Sequence, residues 1–209
     1  LGRTKEARAA LEEALQIATR EKYAREEGYA LRRLVYTLRA DGNYREAVSV
    51  NQRALKAIRT SGDRLNIGQV LVTMAILTNA LDDFSASGRF AQEAYDMFQS
   101  IGSEFQQPFP ERLTGYAAAH TGNLARAREL CVDSIQRNIV LGEDHQAGVY
   151  GGLVLLAEIE LAQGNLERAA RLFGFVRARM QSESVAFQEP DARALERVRA
   201  ALEKKKMKV

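Results

Sequence analysis

A chain of 209 residues, 46% hydrophobic and 27% charged, has the composition of an ordinary soluble globular domain. Its formal charge of +3 is too small and too scattered for a nucleic-acid surface: part sits in a tail of Lys204, Lys205, Lys206 and Lys208, and elsewhere Arg and Glu interleave, as in Arg25-Glu26-Glu27. One cysteine, Cys131, excludes an internal disulfide and points to a reducing compartment, and no apolar run reaches the roughly 18 residues of a membrane span.

With only three prolines in the chain, helices can run almost throughout. Lys5 to Thr19 reads as the second half of a helix pair whose first half is missing. Since the chain starts at Leu1 rather than Met, the array is expected to continue upstream in a longer protein. From Glu27 to Arg39, Leu31, Leu34, Val35 and Leu38 form one stripe at three-four spacing, the mark of an amphipathic helix. Asp41-Gly42-Asn43 breaks it: the glycine suits a left-handed helix end, and the asparagine is expected to cap the next helix. Tyr44 to Arg59 is that helix, with Ala47, Val48, Val50, Ala54, Leu55 and Ile58 inward, and Thr60-Ser61-Gly62-Asp63 ends it.

The same unit then recurs. Ala40-Asp41-Gly42-Asn43-Tyr44, Leu81-Asp82-Asp83-Phe84 and His120-Thr121-Gly122-Asn123-Leu124 fall in a register of about 40 residues, and Gln163-Gly164-Asn165-Leu166 continues it. Small residues return at the expected helix crossings: Ala47, Ser87, Ala127 and Ala169, then Ala54, Ala94 and Ser134. In the third pair Pro108-Phe109-Pro110 places the helix start near Pro110. In the fourth, Gly148, Gly151 and Gly152 fall inside the first helix, where close helix contact or a kink would offset their low propensity. No strand precedes them and no Gly-Lys-Ser/Thr follows, so they do not read as a phosphate loop. Ser182 to Glu189 is a loop, and Pro190-Asp191 opens a last helix to about Lys205, with Ala194, Leu195, Val198, Ala201 and Leu202 as its apolar stripe.

The expected fold is therefore all-α: a right-handed α–α superhelix of helix pairs closed by a C-terminal capping helix, one solenoid domain over 1–209. Its parts are a partial repeat over 1–22, pairs over 23–62, 63–102, 103–143 and 144–182, and a loop with the cap over 183–209.

Paired helices with Gly-Asn-Tyr/Leu at the inner turn and Ala five residues after the Gly resemble the tetratricopeptide repeat, at a period longer than its usual length. The run Ala162-Gln163-Gly164-Asn165-Leu166-Glu167-Arg168-Ala169-Ala170-Arg171-Leu172-Phe173-Gly174, followed by Pro190-Asp191-Ala192-Arg193-Ala194-Leu195-Glu196-Arg197, is similar to C-terminal segments of bacterial LuxR-type ATP-dependent transcriptional regulators and related signalling proteins. That resemblance implies a non-catalytic interaction or effector-sensing domain in the cytoplasm. The ATPase and DNA-binding parts of those regulators have no counterpart in these residues. A free-standing adaptor that scaffolds a complex is the alternative reading.

No constellation for catalysis stands out. The two histidines, His120 and His145, are far apart in sequence, and no metal-ligand spacing occurs. Cys131 reads as buried filler and Asp82-Asp83 as a helix cap. No cofactor and no metal are expected. In tetratricopeptide-like arrays the first helix of each pair lines the concave face. Counting back from each turn puts Tyr29, Arg32, Tyr36 and Arg39 there, then Gln69, Val72, Ile76 and Asn79, then Phe109, Arg112, Tyr116 and His120, and last Gly151, Val154, Glu158 and Leu161. The arginines and tyrosines would make a basic, aromatic groove for an acidic peptide or protein segment, or for a small anionic effector. The family's clamp for a C-terminal carboxylate uses Lys and Asn; Arg32 and Tyr36 stand at those sites, so that activity is not implied.

Overall fold

A computed structural model of the chain describes residues 2–142, 145–183, 185–187 and 189–205. The described residues form ten α-helices and no strand. In chain order they are α1 (Gly2–Arg20), α2 (Ala24–Ala40), α3 (Tyr44–Ser61), α4 (Arg64–Ala80), α5 (Phe84–Ser100), α6 (Pro108–His120), α7 (Leu124–Leu141), α8 (Gln146–Ala162), α9 (Leu166–Glu183) and α10 (Asp191–Lys204). A short 3-10 turn, Glu104–Gln106, precedes α6. No helix of the described residues is long and apolar enough to cross a membrane. Parts of three expectations fall outside the described residues: the junction of the third and fourth pairs at Glu143 and Asp144, Ser184 and Gln188 of the expected loop, and the end of the lysine tail from Lys206 onward.

The helices group into two compact units, Leu1–Gly102 and Ser103–Val209. In the N-terminal unit α1 packs on α2, α2 on α3, α3 on α4 and α4 on α5, the nearest-neighbour order of stacked pairs. Its core gathers Leu31, Val35 and Leu38 with Ile58, Leu71 and Phe98. Phe98 is fully buried against Gly68, and removing such a ring from water contributes about 1.5–3 kcal/mol. In the C-terminal unit α6, α7, α8 and α9 follow the same order, and α10 lies on α8 and α9. Ala194, Val198 and Leu202 of α10 are fully buried, as the expected stripe requires.

The punctuation explains the register. Gly42 (φ 74°) and Gly122 (φ 89°) close α2 and α6 in the left-handed region, and Asp82 (φ 61°) takes the same conformation after α4. Capping is less regular. Asp83 and Asn123 accept from the amides of Ala86 (3.0 Å) and Arg126 (3.1 Å), whereas Asn43 sits at the N-cap of α3 with no side-chain cap bond. The small residues of the crossings, Ala47, Ser87, Ala127, Ala169, Ala54, Ala94 and Ser134, are all fully buried.

Two boundaries differ from expectation. Helix α6 begins at Pro108 rather than near Pro110, because neither proline in a first turn forfeits an intrahelical bond. Helix α9 runs on to Glu183, past the expected loop start at Ser182.

Candidate functional site

The first helices of the pairs carry Arg and Tyr at equivalent positions in the two units. Arg32 and Tyr36 of α2 correspond to Arg112 and Tyr116 of α6, each 80 residues on. Asn66 and Gln69 of α4 correspond to Gly148 and Gly151 of α8, each 82 residues on. The two sites built on this shared frame differ in what satisfies the arginine.

In the N-terminal unit the Arg32 Nη1 donates to the Asn66 Oδ1 and, at 2.6 Å, to the Gln69 Oε1. Both acceptors are neutral amides. Asp63 gathers the groups beside them: the Tyr29 hydroxyl donates to its Oδ2 at 2.9 Å, the Asn66 Nδ2 donates to it at 2.9 Å, and the Asn66 amide caps α4 on its Oδ1. Burial works against ionisation of Asp63, but the bonds from Asn66 and Tyr29 outweigh it and hold the carboxyl below its ordinary value. Arg25 donates to the Tyr29 hydroxyl at 3.0 Å. Further along α2 the exposed Tyr36 lies under the Arg39 guanidinium, 5.9 Å from the ring centre. Gln69 and Val72 are half-buried on the same face, whereas Ile76 and Asn79 are buried and add nothing to an accessible surface.

In the C-terminal unit the corresponding arginine meets a carboxylate. Arg112 and Asp191 form a two-point pair, Nε to Oδ1 at 3.1 Å and Nη2 to Oδ2 at 2.9 Å, with their side chains only 4% and 8% exposed. Nη1 donates to the Gly148 carbonyl at 3.2 Å, and the Tyr116 hydroxyl donates to the Asp191 Oδ1 at 3.0 Å. Burial would drive the Arg112 guanidinium down, but Asp191 overrides it and keeps the group charged. Burial, with the carboxylates of Asp191 and Glu158 behind it, pushes the Tyr116 phenol well above its ordinary value.

Asp191 is the first residue of α10, so this pair fastens the capping helix to the first-helix face. A second fastening lies along the same helix, where the Arg197 Nε is 2.6 Å from the Glu158 Oε1. His120 Nε2 stands 3.6 Å from the other oxygen of that carboxylate. The structure therefore turns Arg112, Tyr116 and Glu158 towards the chain's own C-terminal helix instead of an open groove. Phe109 stays half-buried, with its ring 4.9 Å from the Arg112 guanidinium, and Gly151 and Val154 are buried. Helical periodicity cannot show that α10 folds back across this face.

Asp63, Asn66, Asp191 and Arg197 take part in these sites and do not stand out in the sequence. A signal exists for one of them. Gly148 and Gly151 are three residues apart on one helix face, and α8 runs through them unbroken, so the space they leave has to be filled by something non-local. A cleft of about 390 Å³ opens beside Arg112 between Phe105, Phe109, His145 and Phe187. Cys131 is buried, its thiol donates to the Gly152 carbonyl at 3.0 Å, and burial pushes its pKa up to about 12, far from a nucleophile's range. Among the described residues no group of three His, Cys, Asp or Glu side chains could hold a metal ion.

No protein-family model and no curated protein matches the sequence. Solved structures do match the fold. BtubC (BKLC) from P. vanneervenii superimposes with a TM-score of 0.67 at 14% identity, over 97% of this chain and 87% of that one. The nearly identical TPR-like repeats of a putative kinesin light chain from Podospora anserina give 0.65 at 15% identity, over 89% and 90%. The chain thus has the fold of a TPR-like array of helix pairs.

Proposed function

We propose that the chain is a non-catalytic protein-interaction or effector-sensing domain whose working surface is the first-helix face of the N-terminal unit. The observation behind this reading is the contrast between two equivalent arginines. Arg112 is neutralised by Asp191 inside the protein, whereas Arg32 leans on neutral amides beside the exposed Tyr36 and the half-buried Arg39. A carboxylate arriving from a partner would exchange the ion–dipole bonds of Arg32 for an ion pair that can be two-pointed, adding charge attraction and a fixed geometry. Tyr29, Arg32, Tyr36, Arg39 and Gln69 are the residues proposed to make contact. The partner is an acidic peptide or protein segment, or a small anionic effector, with no direct role for nucleic acid or membrane.

TPR-like neighbours support an interaction module in general terms. Placement in a cytoplasmic bacterial signal-transduction regulator of the LuxR type rests on the Glu167–Gly174 and Pro190–Arg197 runs alone. Binding is tested by titrating labelled acidic peptides against the protein and its Arg32→Ala/Arg39→Ala variant at low and high salt. Affinity that is lost in the variant and falls with salt is expected; affinity indifferent to both would remove the surface from consideration. Reading the coding sequence around the segment decides the wider assignment. A neighbouring nucleotide-binding domain or helix-turn-helix favours the regulator, and a short self-contained frame favours the adaptor.

A further inference from the structure

The cleft beside Arg112 draws its walls from four stretches of the C-terminal unit. Phe105 comes from the 3-10 turn before α6, Phe109 from the first turn of α6, His145 from the residue before α8, and Phe187 from the segment that leads into α10. None of these rings is fully buried: Phe105 is 61% exposed, and the other three are half-buried. Phe105 stands edge-to-face with His145, ring centres 4.6 Å apart, and still reaches water. Below them the lining is charged. Arg112 and Asp191, both nearly buried, contribute to it, and Gly148 adds no side chain that would fill the space.

From this lining we infer that the cleft binds a small, uncharged, planar aromatic compound that turns a carbonyl or similar acceptor towards Arg112. Volume sets the size: about 390 Å³ lies near the lower end of small-molecule sites and suits a compound of two fused rings. The walls set the shape, because phenylalanine and histidine rings receive a flat ring edge-to-face or offset-stacked. The charged pair sets the polarity. Asp191 already neutralises Arg112 through both of its oxygens, so an arriving anion would meet a resident carboxylate. Those oxygens are in turn occupied by Arg112 and the Tyr116 hydroxyl, which leaves no unsatisfied carboxylate for a cation. A neutral acceptor meets neither obstacle. Among the described residues, Arg112 spends three of its N–H groups on Asp191 and the Gly148 carbonyl, which leaves one on each terminal nitrogen to donate. This site is separate from the face proposed above: it belongs to the other unit and takes a compound without charge. Because Phe187 and Asp191 frame the entry to α10, a bound compound also holds that segment in place.

The probe is quinolinone, two fused flat rings with one carbonyl, titrated into the full chain by calorimetry. Saturable binding is expected. Its fully hydrogenated analogue keeps the carbonyl without the flat rings, and quinoline carboxylate keeps the rings but adds a charge; each should bind at least tenfold more weakly. Phe105→Ala removes an exposed ring, and Ala186→Trp fills the cleft from an exposed position. Both variants should melt as the parent does and weaken quinolinone binding at least tenfold. Saturation should raise the melting temperature of the parent and slow proteolysis between residues 183 and 205. Lack of saturable binding at millimolar probe would overturn the inference, as would affinity that survives both variants or a preference for the carboxylate. Cleavage at an unchanged rate in the saturated protein would place the compound elsewhere on the chain and overturn it as well. A tryptophan-containing peptide that binds at least tenfold more tightly than quinolinone, and is blocked by Ala186→Trp, would make the cleft an anchor for a partner's side chain and replace this reading.

Discussion

Gly151 is the space that Asp191 occupies. A Cβ at Gly151 would lie 2.7 Å from the Asp191 Oδ2 and 2.9 Å from the Arg112 Nε, inside the contact distance of either. Gly151 therefore admits the carboxylate that neutralises a buried arginine and fastens the last helix of the chain.

Adding that one methyl should loosen the cap. Gly to Ala in an unobstructed helix interior gains up to about 1 kcal/mol, and Gly174 of α9, with nothing within 4 Å of its added Cβ, should show that gain. At Gly151 the clash reverses the sign, and a net loss of about 1–3 kcal/mol is expected. Urea denaturation of the two alanine variants compares them directly. Limited proteolysis should cut the Gly151→Ala protein sooner between residues 183 and 205.

Equivalent arginines should have unequal effects on stability. Asp191→Ala leaves the Arg112 charge buried without its partner, a situation that costs about 3–5 kcal/mol. Arg32→Ala removes bonds to half-buried amides that water can replace, and should cost no more than about 1 kcal/mol. Thermal melts of the two variants beside Arg112→Met/Asp191→Leu complete the comparison. The apolar double variant should recover much of what Asp191→Ala loses, because a buried pair contributes little over well-packed apolar groups.

A third prediction concerns pH. Burial pushes the Glu111 carboxyl up to about 7 from an ordinary 4.5, against the pull of Arg137 at 3.2 Å. The folded state thus holds this proton more tightly than the unfolded chain does. The stability it contributes is fully present below pH 4.5 and is lost as the pH rises through 7. Glu111→Gln should flatten that part of the profile and leave the protein more stable than the parent in mildly alkaline buffer, by on the order of 1–3 kcal/mol. Denaturation midpoints measured across this pH range test it; a parent and variant with parallel profiles would refute the assignment.

Cys131 should be silent to thiol reagents in the native protein. Its thiol is fully buried and poorly ionised, so labelling by iodoacetamide should require unfolding and track the global transition in urea. Rapid labelling under native conditions would show that the α7–α8 contact opens locally.

The repeat is legible in the sequence because its punctuation obeys local chemistry. Gly42, Gly122 and Asp82 take the left-handed conformation at matching positions, and the crossing residues from Ala47 to Ala169 are buried as their size requires. The glycines of α8 read as a contact surface, but the sequence does not say what they contact. The hidden part is tertiary. Arg112 and Arg32 have the same place in the same motif, and only the distant Asp191 decides that one is internal. Asn43 stands where a cap is expected and makes no cap bond. The Asn165 amide donates at 2.8 Å to Glu160, a fully buried carboxylate held also by Arg128 and Arg168, a cluster that local pattern does not reveal.

The fastening of α10 also sets an order of events. Stacked pairs fold through contacts between neighbours, which close early because little chain lies between them. The bond from Arg112 to Asp191 spans 79 residues, and that from Glu158 to Arg197 spans 39. During synthesis Arg112 emerges long before its carboxylate exists, so its guanidinium must stay hydrated while α6, α7 and α8 assemble around it. The C-terminal unit can exclude water from its Arg112 site only after the last helix has left the ribosome, and a nascent chain stopped short of Asp191 would carry an open, charged seam.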